Sequence, residues 1–366
     1  MTKTTAALIA LSLSAAPVLG FHRETPPIVA LTLSGDSTLP RLPSGGRRLV
    51  VALDTNDGRQ IYLQERLDNT LRPITTEGHN DNPTSNQSAH IIAWDSDCSL
   101  LGCVEPGRQI FMMNSGVVTQ VTHDPTGTSV NPALNGRGSM MAFESTGDLA
   151  NTGNAGTRHV FRRSIDGYIT QMSTGDGPSR HAALDKSGRS LVYESTNDLS
   201  GNDTGIYQLW LSAPRAVLGP LTNGQGPSTN ASISPEGRVV VFQSTADLTG
   251  DLHDTGVSQI FTYRTREATF SQITNSPGGC TNPSIAKGFS DWVIAYTCGS
   301  DGFLRQLNAT TTQHLPIDGD VFQVVTELGR HFMAVSTNAN LLGSGTTAGR
   351  QIYMLNTYKY MLESVP

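Results

Sequence analysis

The chain has 366 residues, among them 37 Gly and 19 Pro, with 15% charged residues, 6% aromatic residues and a formal charge of −6. The acidic balance and the lack of any basic run exclude a nucleic-acid footprint, because neutralising phosphates needs clustered Lys and Arg. Gly, Pro, Ser, Thr and Asn recur in short clusters, the composition of many short strands joined by tight turns, so the expected class is all-β.

At the N-terminus, Lys3 gives a positive n-region, Ala6 to Val18 an apolar h-region, and Val18-Leu19-Gly20 a cleavage site. Residues 1–20 are therefore expected to be a signal peptide and 21–366 a single mature domain starting at Phe21. The apolar run is short for a membrane span and no second run follows, so the chain is not expected to span a membrane. Export to the periplasm or the extracellular space is the expected localisation.

Chain order then brings a repeat. Ile28-Val29-Ala30-Leu31-Thr32 is a strand-like segment standing alone. Gly46-Arg47 opens a run through Leu49-Val50-Val51, with Leu53-Asp54-Thr55 after it, then Gln60-Ile61-Tyr62 and Ile74-Thr75, and Asn82-Pro83 opens a second unit. The second unit continues with Trp94-Asp95-Ser96, Gln109-Ile110-Phe111 and Val121-Thr122. Asn131-Pro132 opens the third, which has Phe143-Glu144-Ser145-Thr146, His159-Val160-Phe161 and Met172-Ser173. The fourth has Tyr193-Glu194-Ser195-Thr196, Gln208-Leu209-Trp210 and Leu221-Thr222. The fifth, opened by Asn230-Ala231, has Phe242-Gln243-Ser244-Thr245, Gln259-Ile260-Phe261 and Ile273-Thr274. A degenerate sixth unit follows Asn282-Pro283, with Tyr296-Thr297 in the phrase slot and either Phe303-Leu304 or Gln306-Leu307 as its third strand. The seventh has Val335-Ser336-Thr337 and Gln351-Ile352-Tyr353.

Equivalent positions lie about fifty residues apart, and runs such as Val239-Val240-Val241-Phe242 suit strands buried on both faces. A four-stranded meander cannot cover both its faces, so neighbouring copies must pack face to face, and radial closure protects their edges. The expectation is a seven-bladed β-propeller of four-stranded antiparallel blades, with six or eight blades as the alternatives. The seventh blade's outer strand is supplied either by the tail, Tyr360-Met361-Leu362, or by Ile28 to Thr32, and the second choice closes the ring by joining the chain's two ends.

Four cysteines permit three pairings. Cys280 precedes the first strand of the sixth unit and Cys298 ends its second, so the two meet at one end of a hairpin. Cys98 and Cys103 are expected to pair across the short loop of the second unit.

Ser234-Pro235-Glu236-Gly237-Arg238-Val239-Val240-Val241-Phe242-Gln243-Ser244 resembles the signature of the WD40-like PD40 repeat, which builds the propeller of TolB-like exported proteins. The insert with Asp247-Leu248-Thr249-Gly250 and Asp254-Thr255-Gly256 is similar to an extended version of that repeat. The resemblance covers nearly all of the mature segment and implies the fold. No counterpart of the α/β domain that precedes the TolB propeller is expected before this one, so a Tol-system role is not what the resemblance implies.

The G-x-S-x-G elbow, the sialidase Asp-box and the Walker and dinucleotide motifs are absent, and no catalytic residue is assigned. In a four-stranded meander the B–C and D–A loops share one end of every blade, and the long B–C loops make that end the decorated one. These loops carry Asp148, Asp198, Asp203, Asp247, Asp251 and Asp254. Oxygen-rich loops suit Ca²⁺, although Asp and Asn also close turns on their own backbone. His79, His123 and His181 fall in or just after D–A loops near the channel. Some sugar lyases related to the repeat hold a divalent metal with propeller histidines, so the resemblance implies these three as metal-ligand candidates, though their slots do not align. The repeated Glu144, Glu194 and Gln243 slot is expected to bond blade to blade. The expected function is binding or scaffolding of a protein or extracellular polymer by the decorated face. The alternative is a metal-dependent, lyase-like enzyme acting on polysaccharide.

Overall fold

The computed structural model describes residues 28–30, 48–65, 70–97, 102, 105, 107–153, 155–214, 216–223, 226–250, 256–287, 291–326, 332–339, 341 and 351–356. These residues form seven antiparallel sheets and, among them, no α-helix. The expected signal segment, Phe21, Cys98, Cys103, Asp251, Asp254 and Tyr360 to Leu362 lie outside the described residues.

The first blade contains β2 (Arg48–Thr55), β3 (Gly58–Glu65) and β4 (Thr70–Pro73). The second has β5 (Asn80–Ser85), β6 (Ile91–Ser96), β7 (Gln109–Asn114) and β8 (Val117–Gln120). The third has β9 (Ser129–Leu134), β10 (Met140–Ser145), β11 (His159–Ser164) and β12 (Ile169–Gln171). The fourth has β13 (Ser179–Leu184), β14 (Leu191–Asn197), β15 (Asp203–Ala213) and β16 (Ala216–Pro220). The fifth has β17 (Ser228–Ile233), β18 (Val239–Ser244), β19 (Gln259–Arg264) and β20 (Thr269–Gln272). The sixth has β21 (Cys280–Lys287), β22 (Trp292–Cys298), β23 (Asp301–Gln306) and β24 (Thr312–His314). The seventh has β25 (Val321–Thr326), β26 (Phe332–Thr337), β27 (Gln351–Asn356) and, on its outer edge, β1 (Ile28–Ala30).

From the second blade to the sixth, each strand A (β5, β9, β13, β17, β21) meets the next blade's strand A, ending at β25, so these strands line the centre of the ring. Outer strands such as β8 and β20 are short and half exposed, which blunts their edges. The ring closes through β1, whose Ile28, Val29 and Ala30 pair with Leu355, Met354 and Tyr353 of β27. Closure by the N-terminal segment is thus the alternative that the structure adopts.

The core is a set of inter-blade wedges. Met141, Phe143 and Phe161 of the third blade pack on Ala93 and Ile110 of the second. Leu49 and Val51 of the first pack on Ala334 and Ile352 of the seventh, sealing the closure. Strands B are buried on both faces, as their apolar runs predict; Val239 to Phe242 are all buried. One aromatic pair spans strands B and C in the five middle blades, from Trp94–Phe111 to Tyr296–Phe303, with centroids 5.7–6.3 Å apart.

In the first blade the phrase slot is shifted from its expected place. Val51, not Leu53, stands opposite Tyr62, so Ala52 holds the slot that Asp95 and Glu144 fill elsewhere. Asp54 lies two residues further on and pairs with Arg59 at 2.9 Å. In the sixth blade Phe303, opposite Tyr296, takes the third-strand slot. Cys280 and Cys298 are cross-strand partners joined by a disulfide, their Cα atoms 4.1 Å apart, near the spacing of a non-hydrogen-bonded antiparallel pair.

Candidate functional site

The Asn-Pro and Asn-Ala pairs do not open strand A; they sit inside it. In the second to sixth blades the A–B pairing slips at this point, a β-bulge. Asn82, Asn131, His181, Asn230 and Asn282 there adopt left-handed backbone, with φ between 50° and 55°. Asn tolerates that region best after Gly, and a following Pro loses no ladder bond at a bulge. Five polar side chains are thereby turned onto the inner strands in a collar around the channel.

The collar is tied from behind by the repeated acidic slot. Asp95, Glu144 and Glu194 on strands B are fully buried. Each receives a side-chain bond from its own blade's bulge: Asn82 Nδ2 donates to Asp95 Oδ1 at 2.9 Å, Asn131 Nδ2 to Glu144 Oε1 at 2.9 Å, and His181 Nδ1 lies 3.0 Å from Glu194 Oε1. Each also receives a backbone N–H from the next blade's bulge: Asn131 to Asp95 at 3.1 Å, His181 to Glu144 at 2.9 Å and Asn230 to Glu194 at 2.7 Å. Gln243 repeats both bonds, accepting from Asn230 Nδ2 at 3.0 Å and Asn282 N at 2.9 Å. This slot bonds blade to blade, as expected, and its carboxylates have no access to a ligand.

A row of arginines completes the pairs, and sequence reasoning missed it. Arg108 Nε donates to Asp95 at 2.6 Å, Arg158 Nη1 to Glu144 at 3.1 Å and Arg180 Nε to Glu194 at 2.9 Å. Arg59 bridges Asp54 and Asp81 at 2.9 and 3.1 Å. Part of a signal exists: Gly58-Arg59-Gln60, Gly107-Arg108-Gln109 and Thr157-Arg158-His159 repeat Arg just before the same strand-C slot, though not its partner, and Arg180 on strand A carries no such mark. The arginines paired with this slot, like its carboxylates, are confined to the second to fourth blades.

Electrostatics follow the geometry. The hydrogen bond to Glu194 is the main force holding His181 above the ordinary imidazole pKa, against the pull of burial. Burial pushes Glu194 up, but His181 and Arg180 outweigh it and leave the carboxyl below its ordinary value. Burial raises Asp95, and Arg108, Asn82 and Asn131 offset it only in part.

Behind the collar the strand-C glutamine staples the D–A crossover. Gln60 Nε2 donates to Gly78 O at 2.7 Å, Gln109 to Asp124 O at 3.1 Å, Gln208 to Gly226 O at 3.2 Å and Gln259 to Ser276 O at 2.7 Å. The third blade puts His159 in this slot, with Nδ1 3.3 Å from Ser173 Oγ and Nε2 buried without a protein partner.

The three histidines do not converge. His79 is held through its backbone N–H to Asp97 at 3.0 Å, His123 lies 3.3 Å from Glu105, and His181 belongs to the collar. Among the described residues no group of three His, Cys, Asp or Glu side chains comes together. The loop aspartates among the described residues close turns on their own backbone. Asp148 accepts from the amides of Thr152 and Gly153 at 2.6 and 2.8 Å, Asp198 from Ser200 and Asn202 at 2.8 and 3.0 Å, Asp203 from Gly205 at 2.9 Å, and Asp247 from Thr249 and Gly250 at 3.3 and 2.8 Å. Backbone amides hold Asp148 and Asp198 below the ordinary carboxylate range, and a bond from Thr196 with the Gly205 amide does the same for Asp203.

No family model matches the chain, and no curated protein matches it. Among solved structures it is similar to an oligogalacturonate lyase from Vibrio parahaemolyticus, at 11% identity over 91% of this chain and 94% of that one, with a TM-score of 0.62. An oligogalacturonate lyase in complex with manganese matches at 10% identity over 90% and 92%, with a TM-score of 0.62. TolB from Acinetobacter baumannii matches at 13% identity over 85% and 64%, with a TM-score of 0.45. At these identities the likeness to the lyases is one of fold.

Proposed function

We propose that the chain is an exported binding or scaffold module that engages a protein or extracellular polymer through the face bearing the channel mouth and the long B–C loops. One observation carries the reading: the acids of the repeated slot are consumed in inter-blade bonds, while the Asn and His side chains on the rigid bulges and the arginines paired with the slot stay part-exposed. A rigid collar of polar groups binds with little ordering cost, which suits recognition. The Cys280–Cys298 disulfide fits an oxidising compartment, where such a partner would be met.

The test is affinity capture from the extracellular fraction. A bulky polyethylene glycol on Thr76→Cys, in a D–A loop, should abolish capture, and the same label on Arg238→Cys, in an A–B turn of the opposite face, should not. Equal capture by both labelled chains would overturn the reading.

A second reading, a lyase-like enzyme on acidic polysaccharide, draws on His181, whose Nδ1 is fixed by a buried carboxylate while Nε2 has no protein partner among the described residues. The described residues bring together no three His, Cys, Asp or Glu side chains that could hold a divalent metal of the kind named for the manganese-bound lyase. Chain cleavage of oligogalacturonate by the purified protein, lost in His181→Ala, would favour this reading over the first.

A further inference from the structure

The junction of the third and fourth blades sets part-exposed cations against two hidden acids. Glu144 and Glu194 have fully buried side chains, whereas those of Arg158, Arg180 and His181 are 41%, 35% and 45% exposed. Arg158 spends one Nη1 on Glu144, and Arg180 spends Nε on Glu194. Their other guanidinium N–H groups make no hydrogen bond to the described residues. One chain of bonds links the two arginines: Glu144 takes Arg158 on one oxygen and the backbone of His181 on the other, and Glu194 takes the His181 imidazole on one oxygen and Arg180 on the other. With His181 protonated the junction holds three positive and two negative charges. A guanidinium presents its donors in a planar fork that matches a carboxylate, and two anchored forks are pre-organised for one.

We propose that the junction of the third and fourth blades is an oxyanion site formed by Arg158, Arg180 and His181, and that it seats a carboxylate side chain of an acidic peptide segment of the partner. The proposal deepens the binding reading and rests on it. A peptide is favoured over an acidic sugar by the surroundings. The flanking collar residues Asn131 and Asn230 donate their amide nitrogens to Glu144 and Gln243, which leaves their Oδ1 atoms, with no donor among the described residues, to accept a peptide N–H. The neighbouring aromatic ring, Tyr207, has the Arg180 guanidinium 3.7 Å over its face, which occupies a surface a sugar ring would stack on.

Capped hexaglutamate is the probe, measured by calorimetry at low salt on the unaltered chain. It should bind, and hexaglutamine should not. Bound hexaglutamate should protect Arg158 and Arg180, but not Arg238, from a guanidinium-modifying reagent; this readout needs no variant. The R158Q/R180Q double variant should lose at least about tenfold in affinity, with R238Q unchanged. Absence of binding, or equal reactivity of Arg158 and Arg180 with and without the peptide, overturns the site. Tighter binding of oligogalacturonate with the same protection overturns the peptide partner. A partner captured from extract that leaves both arginines reactive overturns the anion site while face binding stands. Hexaglutamate protection with no captured partner defeats the face-binding reading alone.

Discussion

Replacing His159 by Gln should stabilise the protein, and more so in acid. His159 occupies the slot that holds Gln60, Gln109, Gln208 and Gln259 in other blades, where the amide bonds a D–A loop carbonyl at 2.7–3.2 Å. The imidazole is 1% exposed and its Nε2 has no protein partner. An unsatisfied buried polar atom costs about 1–3 kcal/mol, so restoring the bond should return about 1–2 kcal/mol. For a chain of this size that is a rise in melting temperature of about 1–3 °C. Burial holds the His159 pKa below its ordinary value. A depressed pKa contributes stability that is present above the unfolded value, about 6.5, and lost as pH falls toward the folded one. His159→Gln removes that loss, so its advantage should be larger at pH 5.5 than at pH 8. Calorimetric melts of both proteins at the two pH values decide the matter. An unchanged or lower melting temperature, or a gain no greater in acid, would refute the reasoning.

Glu194→Gln should destabilise by about 1–3 kcal/mol, a buried-pair cost discounted for the exposure of Arg180 and His181. The raised His181 pKa gives stability present below about 6.5 and lost as pH rises through the folded value, and the lowered Glu194 pKa gives stability present above about 4.5 and lost as pH falls. Melts of the variant should therefore differ most from wild type between those limits. Serine at both Cys280 and Cys298 should cost about 3 kcal/mol in denaturant unfolding, since the bond closes a loop of 18 residues. Deleting residues 21–31 should lower the melting temperature and promote association, because β27 loses its outer partner and exposes an unpaired edge. Phe143→Ala, at the wedge between the second and third blades, should cost about 3–5 kcal/mol in the same unfolding assay.

The blades and their number were legible because repetition near fifty residues and doubly buried strands are strong local signals; the closing strand was narrowed to two segments, and only the pairing of β1 with β27 decides between them. The disulfide of the sixth blade followed from hairpin position. The first blade was misplaced because a shift of two residues keeps every side chain on its own face, so alternation cannot distinguish Leu53 from Val51 opposite Tyr62. Asn82-Pro83 and its equivalents resemble strand openings, yet left-handed Asn within a strand makes a bulge, and a bulge depends on pairing that no local pattern records. The Arg158–Glu144 and Arg180–Glu194 pairs join residues 14 apart in sequence. Nothing in either segment alone shows that its partner lies across the hairpin with one end buried and the other part-exposed. The loop aspartates were visible as an acidic cluster, but their hydrogen bonds to the next few amides, as at Asp148 and Asp198, are a local turn chemistry.

Hydrogen exchange on the chain with its captured partner tests the central claim most directly. Binding through the decorated face predicts slowed exchange at the amides around Asn131, His181 and Asn230 and in the D–A loops near His79 and His123. The C–D turns near Val117 and Tyr168, on the opposite end of the blades, should exchange as in the free protein. Protection confined to those C–D turns, with the collar amides unchanged, would contradict the account.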